Sequence, residues 1–369
     1  IRSGRWVPAG QRIDEDGKLV GKPRRSGRKR GYHFWQVMNP KKTFGDIACT
    51  WIDHRNDGTI REFYQDVLGF RFVAARSIPT YEKVAQRLRY PNTKGQAPHL
   101  AWFLTCGCDM QLDRIYYSVR GWAPGRASWL VDWGEFMRDE SEIEYQDEMG
   151  DDDRPAHVEL ASDLRRIDEL VVRQYPVVNR DGEPTTNPRG HGHLPIRMIG
   201  VDGNYRTSQL HDFLLERERP ERIRAVRGDN KLDPSRPFRR NVVEANTRTG
   251  KPYEGGLELW GLYVNFWKQL VFDRLSGSAD QFGSFHVTSD VMEFGEKYMR
   301  QLCNEPPTEV VNDKTGRKEI RFLPRDTRLG VDFWDTSIYS EAIADMVVGD
   351  LGWSESIWMK DLKKKQNGR

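Results

Sequence analysis

Apolar residues in this chain fall in short clusters whose period changes from two to about four and back. Between His99 and Phe136 three clusters read as strands, about residues 101–109, 114–122 and 128–136. The first is continuously apolar up to a lone acid, FLTCGCD; the second alternates at Ile115, Tyr117 and Val119, the period of a pleated strand. Ala123-Pro124-Gly125 predicts a tight reversal between the second and third. Leu160, Leu164, Ile167 and Leu170 then recur at helical spacing and predict a helix over about 156–174, followed by a turn-rich loop, VVNRDGEPTTNPRGHGH. A buried strand over 196–201 ends at Asp202, Gly203 permits the turn, and a helix starts near Tyr205. Further strands are predicted over 223–226, 257–262, 285–287 and 319–323, and helices over 264–275, 291–303 and 331–349. The basic stretch 231–251 reads as an exposed loop or β-ribbon.

Upstream of this pattern the organisation differs. GRWVPAG is followed by a polar, basic stretch to Arg30 and an aromatic phrase, GYHFWQVMNP. Residues 44–73 are largely helical in pattern, with Ile47, Trp51, Ile60, Phe63, Tyr64 and Leu68 as apolar positions. The expected division is a basic linker region over 1–95 that follows an absent domain, a main domain over 96–350, and a basic tail over 351–369. The chain opens on Ile1 without an apolar leader, so the expectation is a fragment of something longer with no signal peptide. No apolar run approaches the ~20 residues that span a bilayer.

The 369 residues carry a net charge of only +3, but its distribution is uneven. Arg24, Arg25, Arg28, Lys29 and Arg30 cluster near the start, Lys363, Lys364, Lys365 and Arg369 end the chain, and residues 139–153 are acidic. Such runs are ordinarily solvated loops, yet they also suit a polyanion. Cys49, Cys106, Cys108 and Cys303 fit a reduced protein. Cys106 and Cys108 share one strand face and leave Asp109 on the other. A zinc site made with His191 and His193 would not have a standard spacing, so buried structural thiols are expected. There is no G-x-x-x-x-G-K-[ST], so ATP hydrolysis by this chain alone is not expected.

Asp109, Asp202 and Asp335 each stand at a strand end or helix start after an apolar run. A carboxylate in the middle of a sheet is costly unless it is paired or binds a cation. If the first and fourth strands of the main domain are neighbours and the last helix crosses them, the three acids converge. They would then raise one another's pKa unless a divalent cation is present. This is the arrangement of an α/β, RNase H-like (RuvC-like) mixed sheet flanked by helices. Asp332 and Asp335 lie three apart on the last helix, where a dipole role is the plainer reading for Asp332. Asp332 and His286 are candidates for supporting positions, and Arg114, Arg206, Lys231, Arg239 and Arg240 for DNA contacts. No convincing Ser or Cys nucleophile accompanies them.

TCGCDMQLDRIYYSVRGWAPGRASWLVDWGEF resembles the start of the nuclease domain of lambda-type large terminase subunits of tailed phages. GRWVP, RGYHFW and FGDIACTWID resemble the segment after the ATPase motor of that family, IRMIGVDGNY its second acidic strand, and VDFWDTSIYSEAIADM its final helix with L-D-x-x-x-Y. The resemblance implies that Asp109, Asp202 and Asp335 are catalytic and bind two Mg²⁺ or Mn²⁺ ions. Gln111 and Asp113 match the family turn, and Asp132 matches the acid of S-W-L-x-D. Glu341 and Asp345 depart from the small or apolar residues usual after the tyrosine, and on the resemblance Asp132 and Glu341 are further candidates for supporting positions. The implied function is endonucleolytic cutting of concatemeric viral DNA during packaging, in the host cytoplasm and without a membrane. The implied partners are double-stranded DNA, the portal protein and the small terminase subunit. Two other readings stay open: a non-catalytic RNase H-like module binding DNA or the portal, and a nuclease of the resolvase or transposase type.

Overall fold

The three strand signals after His99 form an antiparallel meander. The computed structural model of the chain describes residues 7, 11–14, 16, 18–22, 36, 39–56, 62–68, 80–142, 162–216, 222–229, 237–245, 252–280, 283–311 and 318–350. Two units divide the chain, Ile1–Ala74 and Ala75–Arg369. In the first, β1 (Arg12–Ile13) pairs antiparallel with β2 (Leu19–Val20), and α1 (Phe44–Asn56) is followed by a π-helical turn, Phe63–Val67. Ile47, Phe63 and Val67 are buried there against Trp51, Tyr64 and Leu68. The basic run 24–30, the phrase GYHFW, most of the acidic segment and the tail after 350 lie outside the described residues.

The second unit opens with α2 (Tyr81–Leu88), β3 (Ala97–Pro98), β4 (Phe103–Met110), β5 (Arg114–Ala123) and β6 (Ala127–Met137). There follow α3 (Ser162–Arg165), α4 (Ile167–Val172), β7 (Gln174–Val178), β8 (His193–Asp202), α5 (Thr207–Leu215), β9 (Ile223–Gly228), β10 (Phe238–Ala245) and β11 (Pro252–Leu262). It ends with α6 (Val264–Ser276), β12 (Phe285–His286), α7 (Val291–Phe294), α8 (Glu296–Leu302), β13 (Pro307–Val311), β14 (Lys318–Phe322) and α9 (Asp332–Asp350). The main sheet runs β10-β11-β9-β8-β4-β5-β6-β12, with β3 and β7 attached beside it. β4 pairs antiparallel with β5 and parallel with β8, and β8 pairs parallel with β9. A mixed sheet flanked by helices is what the patterning predicted.

Two local expectations, both helices, are corrected. The helix expected over 156–174 is described only from Ser162, breaks at Arg166, and stops at Val172. Gln174–Val178 is a strand, because Tyr175, Val177 and Val178 turn into the core while pairing with β8 and β3. The helix expected over 291–303 breaks at Gly295, where a Cβ would stand 2.7 Å from the Trp133 indole. The strand expected over 319–323 is present as β14, but its partner β13 carries too weak an alternation to have been predicted. Of the stretch 231–251, the described part from Phe238 is the edge strand β10.

Alternation along β4 and β8 divides the core into two layers. Cys106, Cys108, Ile199 and Val201 pack on one face with Leu164, Ile167 and Leu170 of α3 and α4 and Leu210 and Phe213 of α5. The other face carries α9, whose Phe333, Trp334, Ile338 and Ile343 are buried with Trp267 of α6 and Tyr298 and Met299 of α8. Two glycines let α9 sit close. A Cβ on Gly107 would overlap the Thr336 carbonyl and stand 2.8 Å from the Ser340 amide; one on Gly200 would meet Ile343 at 2.6 Å. Thr105 Oγ1 donates to the Ser340 carbonyl at 2.9 Å, and Ser118 Oγ donates to Thr336 Oγ1 at 2.9 Å.

The obstacle at Gly107 is helix backbone, which cannot rotate aside. Overpacking a full core costs about 1–3 kcal/mol, so Gly107→Ala should lose about 3 kcal/mol in urea denaturation. Gly192→Ala, whose nearest contact is a carbonyl at 3.7 Å, should stay within about 0.5 kcal/mol of the parent. Equal stability of the two variants would contradict the close seat of α9.

Candidate active site

Cys108 of β4 stands opposite Val201 of β8 in the parallel ladder. The next residue on each strand is an acid, so Asp109 and Asp202 leave neighbouring strands, about 4.8 Å apart, at one level. Both share the face of Gly107 and Gly200, the face that α9 covers. Thr336 of α9 lies over Gly107 and Ser340 over Thr105, so the helix runs antiparallel to β4. Its first turn, with Asp332 and Asp335, therefore comes to the strand ends that carry Asp109 and Asp202. Ligands of open α/β sheets sit at this carboxyl edge.

The electrostatics are those of acids that face one another. Burial, then the charges of Asp335 and Asp202, hold Asp109 well above the usual carboxylate range, although Gln111 Nε2 donates to its Oδ2 at 2.7 Å. Burial raises Asp202 to about 6, against the lowering effect of Asn204 and of the Tyr339 hydroxyl. The Asn204 amide N–H and Nδ2 donate to Asp202 Oδ1 at 3.2 and 3.1 Å. Burial raises Asp335 to about 7; Lys268 opposes this, while Glu305, Asp202 and Asp332 reinforce it. Asp332 is also raised by burial and accepts from Gln301 Nε2 at 2.9 Å. Tyr339 is pushed well up by burial and by the three acids together.

These groups could hold a hard divalent cation: the donors are carboxylate oxygens at one edge, and each is driven toward its protonated form. Among the described residues no group of three or more His, Cys, Asp and Glu side chains is placed so that it could hold a metal ion as it stands. Asp109 is held instead by Gln111 and Asp202 by Asn204, while Lys268 stands 3.9 Å from Asp335.

Other residues singled out in the sequence have different surroundings. Asp132 lies on the opposite face of the sheet, accepting from Arg173 and the Tyr175 hydroxyl, both at 3.0 Å, so it braces β6 against β7. His286 lies at the far end of β4–β6, stacked on Trp129, with its pKa lowered by burial and Arg120 to about 4. Glu341 is fully buried in an ion pair with Arg274 at 2.5 Å, and Asp345 pairs with Arg126 at 2.6 Å, both beyond the helix turn that reaches the site. None of Asp132, His286 and Glu341 is brought to the acids; Asp332 is.

Among the expected DNA contacts, Arg206 is buried, with φ 52°, and donates to both oxygens of Asp163 at 2.5 and 2.8 Å. It also donates to the Gln111 carbonyl at 3.3 Å, so it fixes the turns after Asp109 and Asp202 rather than meeting solvent. Arg114 joins Asp113 and Glu135 at the rim. Arg239 and Arg240 are exposed on β10, and Lys231 lies outside the described residues. Cys106 and Cys108 are buried with sulfurs 3.9 Å apart, and His191 and His193 are exposed, in keeping with structural thiols. Lys268 and Glu305 escaped the sequence reading, because neither lies near any acid of the site in the chain.

No solved structure gives a significant match to this chain. It is 33% identical to the large terminase subunit of Escherichia phage lambda over 103 residues, 27% of this chain and 16% of that protein. It is 30% identical to the large terminase subunit of Enterobacteria phage P21 over 104 residues, again 27% and 16%. The alignments thus span about a sixth of each relative. Among the described residues no helix is long and apolar enough to cross a membrane. The family described as "Terminase large subunit gpA, endonuclease domain" matches residues 29–353, nearly all of the chain, and the chain belongs to that family.

Proposed function

We propose that this chain is a metal-dependent endonuclease of RNase H-like fold that cuts concatemeric viral DNA into genome units during packaging. The observation that carries this reading is the meeting of Asp109, Asp202 and Asp335 at one sheet edge. An antiparallel meander with the acid on its first strand, a parallel fourth strand beside it and a closing helix support the fold assignment. Two Mg²⁺ or Mn²⁺ ions held by the three acids would supply positive charge to the scissile phosphate and acidify the attacking water.

The chain's own groups prepare that site. The Gln111 and Asn204 amides orient the carboxylates of Asp109 and Asp202. On the Asp109 side, Lys297 donates to Glu135 at 2.7 Å and to the Tyr116 hydroxyl at 3.2 Å, with about half of its side chain exposed. Lys297 and Arg114 thus offer cations to a phosphate backbone at the rim. On the other side, Arg240 pairs with Trp260, and Trp260 with Val226, which stands opposite Asp202. Arg239 and Arg240 thus lie level with the acids, three strands away, or about 14 Å. Double-stranded DNA laid along the edge would meet both sets. The portal protein and the small terminase subunit are the partners that family membership suggests, and the host cytoplasm the compartment.

Plasmid nicking with Mn²⁺ or Mg²⁺ tests the proposal. Asp109→Asn should lower the rate at least about a hundredfold while keeping the parent's circular dichroism spectrum. Glu341→Gln should lower the melting temperature yet leave Mn²⁺ affinity unchanged, because it breaks a buried pair remote from the acids. A folded wild-type chain that never cut DNA, or an active Asp109→Asn, would overturn the assignment.

A second expectation concerns pH. Asp202 and Asp335 titrate near 6 and 7 in the fold, against roughly 3.9 for an unperturbed aspartate. The folded state therefore holds more protons than the unfolded chain in this window, and their contribution to stability falls as pH rises from about 4 to 7. Neutral, buried His286 acts in the opposite sense, but does so equally with and without metal. A bound divalent cation competes with the carboxylate protons. The difference in melting temperature between Mn²⁺ and EDTA should therefore widen from about pH 5 to about pH 8. A difference that stays constant across this range would count against metal binding at these acids.

A further inference from the structure

Behind the third acid lies a charge that the proposed cleavage does not use. Lys268, on α6, has only 13% of its side chain exposed, and its Nζ stands 3.9 Å from Asp335 Oδ1. The same ammonium donates to Glu305, itself only 9% exposed, in the segment after α8. A cation thus lies between a site acid and an acid outside the site. By contrast, Asp109 and Asp202 are held by the neutral amides of Gln111 and Asn204.

We infer that Lys268 is a built-in counter-ion which reserves Asp335, so that divalent ions load in order: the first on Asp109 and Asp202, the second only as Lys268 withdraws wholly onto Glu305, to which it already donates. The inference rests on the metal-dependent reading and adds a sequence of binding to it. An ammonium 3.9 Å from the carboxylate lies where it repels an incoming dication, and low exposure leaves little water to screen it. The flexible four-carbon stem of lysine carries a compact charge that can shift between two carboxylates without altering the backbone. Glu305 is the group that lets it do so. Lys268 is a positioning residue in this scheme, because it acts through Asp335.

Titration calorimetry with Mn²⁺ alone, on the full chain without DNA, separates the possibilities. The wild type should bind one equivalent tightly and a second at least about tenfold more weakly. Lys268→Met, which keeps the stem and removes the charge, should strengthen the second equivalent about tenfold and leave the first within about twofold. Glu305→Gln should act oppositely, weakening the second equivalent, because the ammonium then rests wholly on Asp335. A purely structural Lys–Glu pair would make both variants less stable and move both isotherms the same way. Isotherms that overlay the wild type, or that shift in the same direction, overturn the inference. If Lys268→Met does not fold, the direction of Glu305→Gln decides alone. If the wild type binds no Mn²⁺, the metal-dependent reading falls and this inference with it; two equal, tight equivalents overturn the ordering and leave that reading standing.

Discussion

The seat of α9 on a glycine floor is the constraint on which the candidate site depends. Gly107 and Gly200 lie on adjacent parallel strands, and both face the helix. With side chains there, α9 would have to lift off the sheet, and its first turn would move away from Asp109 and Asp202. The hydrogen bonds from Thr105 to Ser340 and from Ser118 to Thr336 fix its register along β4 and β5. Register matters as much as distance: it decides that Asp332 and Asp335, rather than Glu341 or Asp345, reach the carboxyl edge. Close packing, polar pinning and the placement of the acids are one geometric solution.

The molecule treats its buried charges in two ways. Asp163 with Arg206, Glu341 with Arg274 and Lys268 with Glu305 are compensated pairs, and breaking one would leave an uncompensated buried charge. Among the described residues, Asp109, Asp202 and Asp335 are met by amides, a tyrosine hydroxyl and a share of Lys268. That excess of negative charge weakens the fold at neutral pH, and it is what the proposed cations would neutralise. Perturbed carboxylates gathered at a strand edge are the expected signature of a working site. Arg206 connects the two classes, because the pair it makes with Asp163 also ties down Gln111, next to Asp109.

Much of this was legible in the sequence, for identifiable reasons. The β4–β5–β6 meander announced itself through period-two alternation and a Pro-Gly turn, and α9 through a long apolar pattern starting at paired aspartates. Asp109, Asp202 and Asp335 stood out because each interrupts or ends an apolar run. The destinations of other charges were hidden, since a sequence does not show which partner arrives from far along the chain. Arg206 and Asp163 lie 43 residues apart, and Arg274 and Glu341 lie 67 apart. An arginine or glutamate destined for such a pair looks like a surface residue or a site residue until the fold closes. Gly295 likewise gave no local sign that Trp133 would fill the space beside it and break the helix expected there.

The central claim is that the three acids form one cation site, and anomalous diffraction from a crystal soaked in Mn²⁺ tests it most directly. Manganese peaks lying among Asp109, Asp202 and Asp335, with carboxylate oxygens at about 2.1–2.2 Å, are the predicted result. Manganese held only at other residues, or carboxylates that stay turned to Gln111 and Asn204 with no peak among them at saturating Mn²⁺, would contradict it.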